Sequence, residues 1–212
     1  MEFQSRCQEC VSSTGGIMKA YHFLKEDMKS GEGEESPWVV GETRTIKGKA
    51  MLCARGYHSS STILDALHYA PGPVACLVEV SKPVGKDDSK QVSKTRTLIA
   101  ALDATKVLHE FACRVAEDVL QFFEEQYPDD KRPRAAIETK RRWLKGKVTD
   151  MELAAANAAA RSAASAADWD AAAAARAAGA AAWAAISVAS AAALKKYNTW
   201  LEEMLKDAGM PA

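Results

Sequence analysis

The sequence has no excess of charge of either sign. Among its 212 residues, 28 lysines and arginines balance 28 aspartates and glutamates, so the formal net charge at pH 7 is zero. Such a chain lacks the overall positive field that attracts nucleic acid or anionic lipid, and any basic surface must be local. We therefore expect neither nucleic acid nor a membrane among its partners.

Cysteines are also few, and their number is odd. Only Cys7 and Cys10 have a CxxC spacing, and no second CxxC or HxxxH pair completes a zinc site. The chain opens without the charged, apolar and small-residue regions of a secretory signal. We therefore expect a reducing, cytoplasmic location, with no metal and no cofactor.

The first 17 residues resemble translated ribosome-binding sequence, most clearly over residues 12–17. We expect residues 1–17 to be a disordered upstream extension, with the natural start at Met18.

Residues 18–102 carry short apolar runs separated by glycine, proline and charged residues, a pattern typical of strands and turns. The run VACLVEV has no polar alternation, which predicts a strand buried on both faces. Hydroxyl residues before an apolar, helically spaced segment predict one short helix. The predicted strands are 18–24, a pair at 38–46 and 50–53, then 74–80 and 91–101, and the helix is 62–69.

Residues 103–212 have helical periodicity and are rich in alanine, which makes up more than half of residues 151–193. The predicted caps are Asp103, the pair Asp129 and Asp130, and a Thr149–Glu152 capping box. The fold class predicted is α+β: a small mixed β-sheet domain with one or two short helices (18–102), followed by an alanine-rich antiparallel helical bundle (103–212).

The most apolar stretch is residues 171–193, which contains a single charge, Arg176. Its length would span a bilayer, but alanine is only weakly apolar. A helix from Asp168 to about Ile186, surrounded by others and with Trp169 and Trp183 filling the gaps that alanine leaves, is the preferred interpretation.

Four residues of the first half are candidates for catalysis: Tyr21, His22, His58 and Glu79. Their types resemble the NAD-binding set of small ADP-ribosyltransferases, in which histidine holds ribose, an aromatic ring stacks on nicotinamide and glutamate orients the attacking group. No local motif supports the match. The alternative interpretation, which we prefer, is that His58 is a turn residue with a satisfied ring and that Glu79 is a surface or edge residue.

Positive charge is concentrated between residues 131 and 147. Arg134, Arg141, Arg142 and Lys145, together with a loop around His58, are the candidate binding residues. They would contact an acidic protein, a phosphate or a nucleic-acid backbone. The alternative is an ordinary solvated helix face, supported by Glu138 four residues before Arg142.

Two sets of residues resemble known families. Residues 53–59 (CARGYHS), 65–70 (DALHYA) and 76–80 (CLVEV) resemble an uncharacterised domain found in phage and prophage proteins. Residues 127–138 (YPDDKRPRAAIE) and 176–180 (RAAGA) resemble a helical immunity-protein-like domain, of the number five type, associated with bacterial polymorphic toxins. The histidines of that family's alanine-rich helix are replaced here by Ala180, Ala184 and Ser190.

The resemblance implies a phage- or prophage-encoded binding protein without catalysis. It would neutralise a bacterial defence or toxin protein by contact in the host cytoplasm, and self-association into a homo-oligomer stays open. Two alternatives remain: an NAD- or nucleotide-using transferase, and a sponge that sequesters a small signalling nucleotide between the two halves through arginine–phosphate pairs.

Overall fold

The computed structural model of the protein describes residues 16–31, 35–166 and 191–212. Seven strands occupy the first half: β1 Met18–Leu24, β2 Thr43–Thr45, β3 Tyr57–Ser59, β4 Val74–Val80, β5 Gly85–Lys86, β6 Gln91–Ser93 and β7 Thr95–Asp103. They form a four-stranded sheet in the order β1-β4-β7-β2 and a three-stranded sheet in the order β3-β6-β5. Every strand pair described is antiparallel.

One short helix lies between β3 and β4, and longer helices follow the sheets. They are α1 Ile63–His68, α2 Thr105–Gln126, α3 Arg132–Leu144, α4 Asp150–Ala166 and α5 Ala191–Asp207. Helix α3 packs between α2 and α4, while α5 packs against α1 and α2. The predicted α+β class, with sheet first and helices second, is confirmed. Within the described ranges, no helix is both long and apolar enough to cross a membrane.

Strand β4 is the centre of the four-stranded sheet. It lies between β1 and β7, and six of its seven residues are buried, as its unbroken apolar run predicted. Alternate side chains point to opposite faces of a strand. Accordingly, Ala75 and Leu77 join one apolar cluster while Cys76 and Val78 join another. A bulge in β7 at Ile99 shifts the register between β4 and β7, so that Leu77 pairs with Ala100 and Val78 with Leu98.

Helices cover the first of these faces. Phe23 and Leu77 from the sheet pack with Phe111 of α2, and with Tyr197 and Leu201 of α5. All five are at most 3% exposed, so this cluster joins residues from both halves of the chain into one core. We call it the helix side of the sheet. The domain boundary at 102/103 stays a prediction.

A loop covers the opposite face. Trp38, only 2% exposed, packs on Val78 and Leu98, and Tyr57 lies edge-on to its ring. Arg44 of β2 fixes the loop, because its guanidinium donates to the carbonyls of Ser36 and Pro37 and lies 4.1 Å over the Trp38 ring. We call this the loop side of the sheet.

Side-chain caps set the starts of several helices. Thr149 and Glu152 form the predicted reciprocal capping box: each side chain accepts the backbone N–H of the other. The predictions for α2 and α3 were displaced by one residue. Their N-cap positions are Ala104 and Lys131, and the preceding Asp103 and Asp130 accept from the first helical N–H.

Three strand predictions were wrong. Of residues 38–46, only Thr43–Thr45 form a strand, and residues 51–55 form a tight turn closed by a bridge between Met51 and Arg55, with Cys53 at φ 60°. The segment 91–101 is two strands, one in each sheet, with Lys94 between them. Strand β3 was not predicted, because it depends on pairing with β6 rather than on its own three residues.

Glycine permits that pairing. Gly56 has φ +130°, and a Cβ atom there would lie 2.6 Å from Cγ2 of Val92 in β6. Only glycine fits such a conformation and such an approach.

Several predictions lie outside the described residues. These are residues 1–15 of the expected extension with the Cys7–Cys10 pair, the helix expected from Asp168 to Ile186, and the packing of Trp169 and Trp183.

Candidate functional site

A pocket of about 490 Å³ opens where the edge of β1 meets β3. A backbone bridge between Tyr21 and Ser60 holds the two sheets together at this point. The pocket's volume lies within the range usual for small-molecule sites. Its polar and aromatic wall includes Tyr21, His22, Ser30, Tyr57, His58 and Arg96.

Arg96 is the buried charge of this wall. It lies on β7, on the loop side, and is only 2% exposed. Its guanidinium donates to Ser30 Oγ at 2.8 Å and to the His58 carbonyl at 3.3 Å, and lies 4.3 Å from the centre of the Trp38 ring. Burial lowers the pKa of Arg96 to about 10, which leaves the group charged at neutral pH.

The acid of the pocket is Glu35. Its carboxylate accepts from the Ser30 backbone N–H and from Trp38 Nε1, both at 2.8 Å, and it lies 3.5 Å from the Arg44 guanidinium. These contacts tie the carboxylate to the loop. No carboxylate of the described residues forms an ion pair with Arg96.

Two imidazoles lie in the wall. His22 Nε2 is 3.3 Å from Ser30 Oγ, and His58 Nε2 accepts from the Cys53 backbone N–H at 2.9 Å. Burial, followed by the positive charge of Arg96, lowers the pKa of His22 well below its usual value. Burial, followed by the charge of Lys90, lowers the pKa of His58. Both rings are therefore neutral near pH 7 and offer one donor and one acceptor each.

The pocket brings together three of the four candidate catalytic residues. Tyr21, His22 and His58 all line it. Glu79 does not line the pocket. It lies near the C-terminal end of β4, opposite Lys19 of β1 and Thr97 of β7, whereas His22 lies opposite Cys76. The glutamate that the transferase hypothesis assigned is thus separated from the histidines, and Glu35 is the acid beside them.

The candidate binding residues of α3 fall into two groups. Arg134 makes two hydrogen bonds to Glu124 of α2, and Arg141 bridges Glu110 and Glu117 of the same helix. These two arginines therefore fasten α3 to α2. Arg142 and Lys145 are exposed and have no ion pair among the described residues. His58 lies in the pocket rather than on this surface.

Sequence reasoning missed Arg96 and Glu35. Arg96 is two residues before the buried Leu98, at a position whose side chain must face the same side of β7. A charged residue at a buried position of a strand is the signal that could have identified it. Glu35 carried no such signal, because it lies in a loop whose path depends on Arg44 and Trp38.

Comparison with known proteins identifies two regions. Residues 18–110 match the family model described as "Domain of unknown function (DUF7666)", and residues 100–199 match the model described as "Imm-5 like putative immunity protein". Neither the curated proteins nor the solved structures give a significant match. In the parts of the chain that the structure describes, no group of three or more metal-ligating side chains lies together. The two resemblances stated from sequence are confirmed: residues 18–110 are similar to the DUF7666 domain, and residues 100–199 are similar to the Imm-5-like immunity proteins.

Proposed function

We propose that this chain is a phage- or prophage-encoded protein that binds and neutralises a bacterial toxin or defence protein by contact, without catalysis, in the host cytoplasm. The observation that carries the proposal is the match of residues 100–199 to the Imm-5-like immunity proteins. Such a role needs a rigid surface that complements the partner rather than a reaction centre.

The C-terminal end of α3 is the surface that we assign to the partner. Arg142 and Lys145 are exposed there, and Lys147 lies in the turn that follows. Trp143 lies between them in sequence, with Lys140 4.0 Å over its ring and its indole N–H donated to Asp150. Cations beside a fixed aromatic ring suit an acidic protein surface.

The ion pairs of Arg134 and Arg141 support this assignment by holding α3 in place. Their charge is balanced by carboxylates of α2, so the attraction for an acidic partner comes from Arg142 and Lys145, which form no ion pair in the described part of the chain. Electrostatic complementarity of this kind accelerates association and selects among partners.

The experiment is neutralisation in living cells. The chain is co-expressed in a bacterium with each member of a panel of polymorphic-toxin domains, and surviving colonies are counted. We expect the wild type to restore growth against at least one toxin, and the variant Arg142→Glu with Lys145→Glu to lose most of that protection. With the purified pair, calorimetry should show binding weakened at least about tenfold, most strongly at low salt.

The matched control is Lys49→Glu with Lys86→Glu. It makes the same change of charge at exposed positions of the first half and should protect like the wild type. If the wild type protects against no toxin, the neutralising function is wrong. If both double variants protect equally well, the surface on α3 is wrong.

A further inference from the structure

The charge of Arg96 needs an explanation that the neutralising function does not supply. Burying a guanidinium without an ion pair costs several kcal/mol unless other groups compensate. Here the direct contacts are with neutral groups, namely a hydroxyl, a carbonyl and the rings of Trp38 and Tyr57, and the Glu35 carboxylate attracts the charge without forming an ion pair with it. A chain that needed only packing at this position would be served by an apolar side chain.

The charges of the pocket wall also favour an anionic ligand. Its lining contains two cations, Arg96 and Lys90, and one carboxylate, Glu35. Both oxygens of Glu35 already accept hydrogen bonds, from Ser30 and Trp38. The histidines add no negative charge, so the wall carries a net positive charge that an anion would neutralise.

Arg96 also has donor capacity to spare. A guanidinium carries five N–H groups, and contacts within the described residues use two of them. Its planar fork matches the oxygens of phosphate, with which it can form two parallel hydrogen bonds. Ser30, held between Arg96 and His22, places a hydroxyl beside the same point.

The remaining wall is aromatic. Tyr57 and Tyr69 line the pocket, and their rings offer flat apolar surface to a planar group, whereas the Tyr21 side chain packs on the helix side and interacts with Glu202 of α5. A cavity of about 490 Å³ accommodates a molecule of mononucleotide size.

We propose that this pocket binds a small phosphorylated molecule with a planar ring, of the mononucleotide class, whose phosphate pairs with Arg96 and whose ring packs among the tyrosines. The inference is independent of the neutralising function, because it concerns the first half of the chain and the residues of one pocket.

The test is calorimetric titration of the full chain at pH 7. The titrants are the four common nucleoside monophosphates, their unphosphorylated nucleosides and NAD. We expect at least one phosphorylated compound to bind with a Kd below about 1 mM, and its nucleoside to bind at least about tenfold more weakly. No binding by any phosphorylated compound, or equal binding by the nucleoside, overturns the proposal.

Two variants locate the site. Arg96→Met replaces the apolar stem of the side chain, removes the guanidinium and its charge, and should weaken binding about ten- to a hundredfold. Lys90→Met should weaken it severalfold, whereas the exposed Lys86→Met, on the neighbouring β5, serves as the control and should not. Unchanged affinity in a folded Arg96→Met protein overturns the proposal.

Arg96→Met removes a contact with Trp38 and could prevent folding, which circular dichroism would show. In that case, changes in the NMR chemical shifts of the wild-type backbone amides during the titration test the proposal. Shifts confined to the residues around Ser30, His58 and Arg96 support the pocket, and shifts elsewhere refute it.

Discussion

The two faces of the four-stranded sheet are buried by different means. On the helix side, α1, α2 and α5 cover Phe23 and Leu77 with apolar side chains. On the loop side, a loop held by Arg44 covers the sheet with Trp38, and the buried Arg96 guanidinium lies beside the Trp38 ring. One face excludes charge, and the other encloses it.

This difference separates stability from recognition within one domain. Apolar area removed from water is a direct source of folding free energy, so the helix side stabilises the fold. A buried charge contributes little or costs free energy, and is retained where it has another use. Loops on a rigid scaffold commonly carry binding residues, which is the role that we propose for the loop side.

The largest effect should come from the helix side. Phe111 is 1% exposed and fills the space between sheet and helices. Phe111→Ala should lower the free energy of unfolding by about 3–5 kcal/mol, because it removes a large buried ring and leaves a cavity. Urea unfolding measures the loss.

Phe122 of the same helix provides the control. It is 59% exposed, so Phe122→Ala should change the free energy of unfolding by no more than about 0.5 kcal/mol. Similar losses in the two variants would show that α2 does not bury the face assigned to it.

A smaller effect, dependent on pH, should come from the loop side. The pKa of His22 is lowered on folding, so the unfolded chain binds its proton more readily. The stabilisation from the neutral ring is complete above the unfolded pKa of about 6.5 and is lost as the pH falls below it. Each such histidine lowers the free energy of unfolding by up to about 1.4 kcal/mol per pH unit.

His22→Asn should therefore flatten the decline in stability between pH 7 and pH 5. The pKa values of His58 and His109 are lowered too, and account for the slope that remains. Urea unfolding at several pH values gives the slope for each protein. Equal slopes would mean that the His22 ring is protonated as easily in the folded chain as in the unfolded one.

The helix side was largely predictable from sequence, and the loop side was not. The apolar spacing of α2 and the unbroken run of β4 are local patterns, and both predict burial directly. The loop side depends on contacts between distant residues: Ser30 with Arg96, and β3 with β6. Short strands such as Tyr57–Ser59 have no periodicity of their own.

The candidate site was also only partly predictable from sequence. Tyr21, His22 and His58 were chosen from sequence by residue type, and the meeting of β1 with β3 brings them together. Glu79 was chosen in the same way, but β4 carries it away from them. Type alone cannot distinguish these outcomes, because position on the sheet decides which side chains meet.

The smallest effect tests a single hydrogen bond on the helix side. Thr62 Oγ1 accepts the Asp65 backbone N–H at 3.1 Å and caps α1. Thr62→Ala should cost about 1 kcal/mol in the free energy of unfolding, whereas Thr62→Ser keeps the hydroxyl and should cost less. Asn198 of α5 still accepts from the Leu64 N–H, which limits the loss.

Because α1 lies on the helix side, the pH dependence that we assign to His22 should be the same in the Thr62→Ala protein as in the wild type. A changed slope would show that the two sides of the sheet are coupled through α1, and the division between them would then fail.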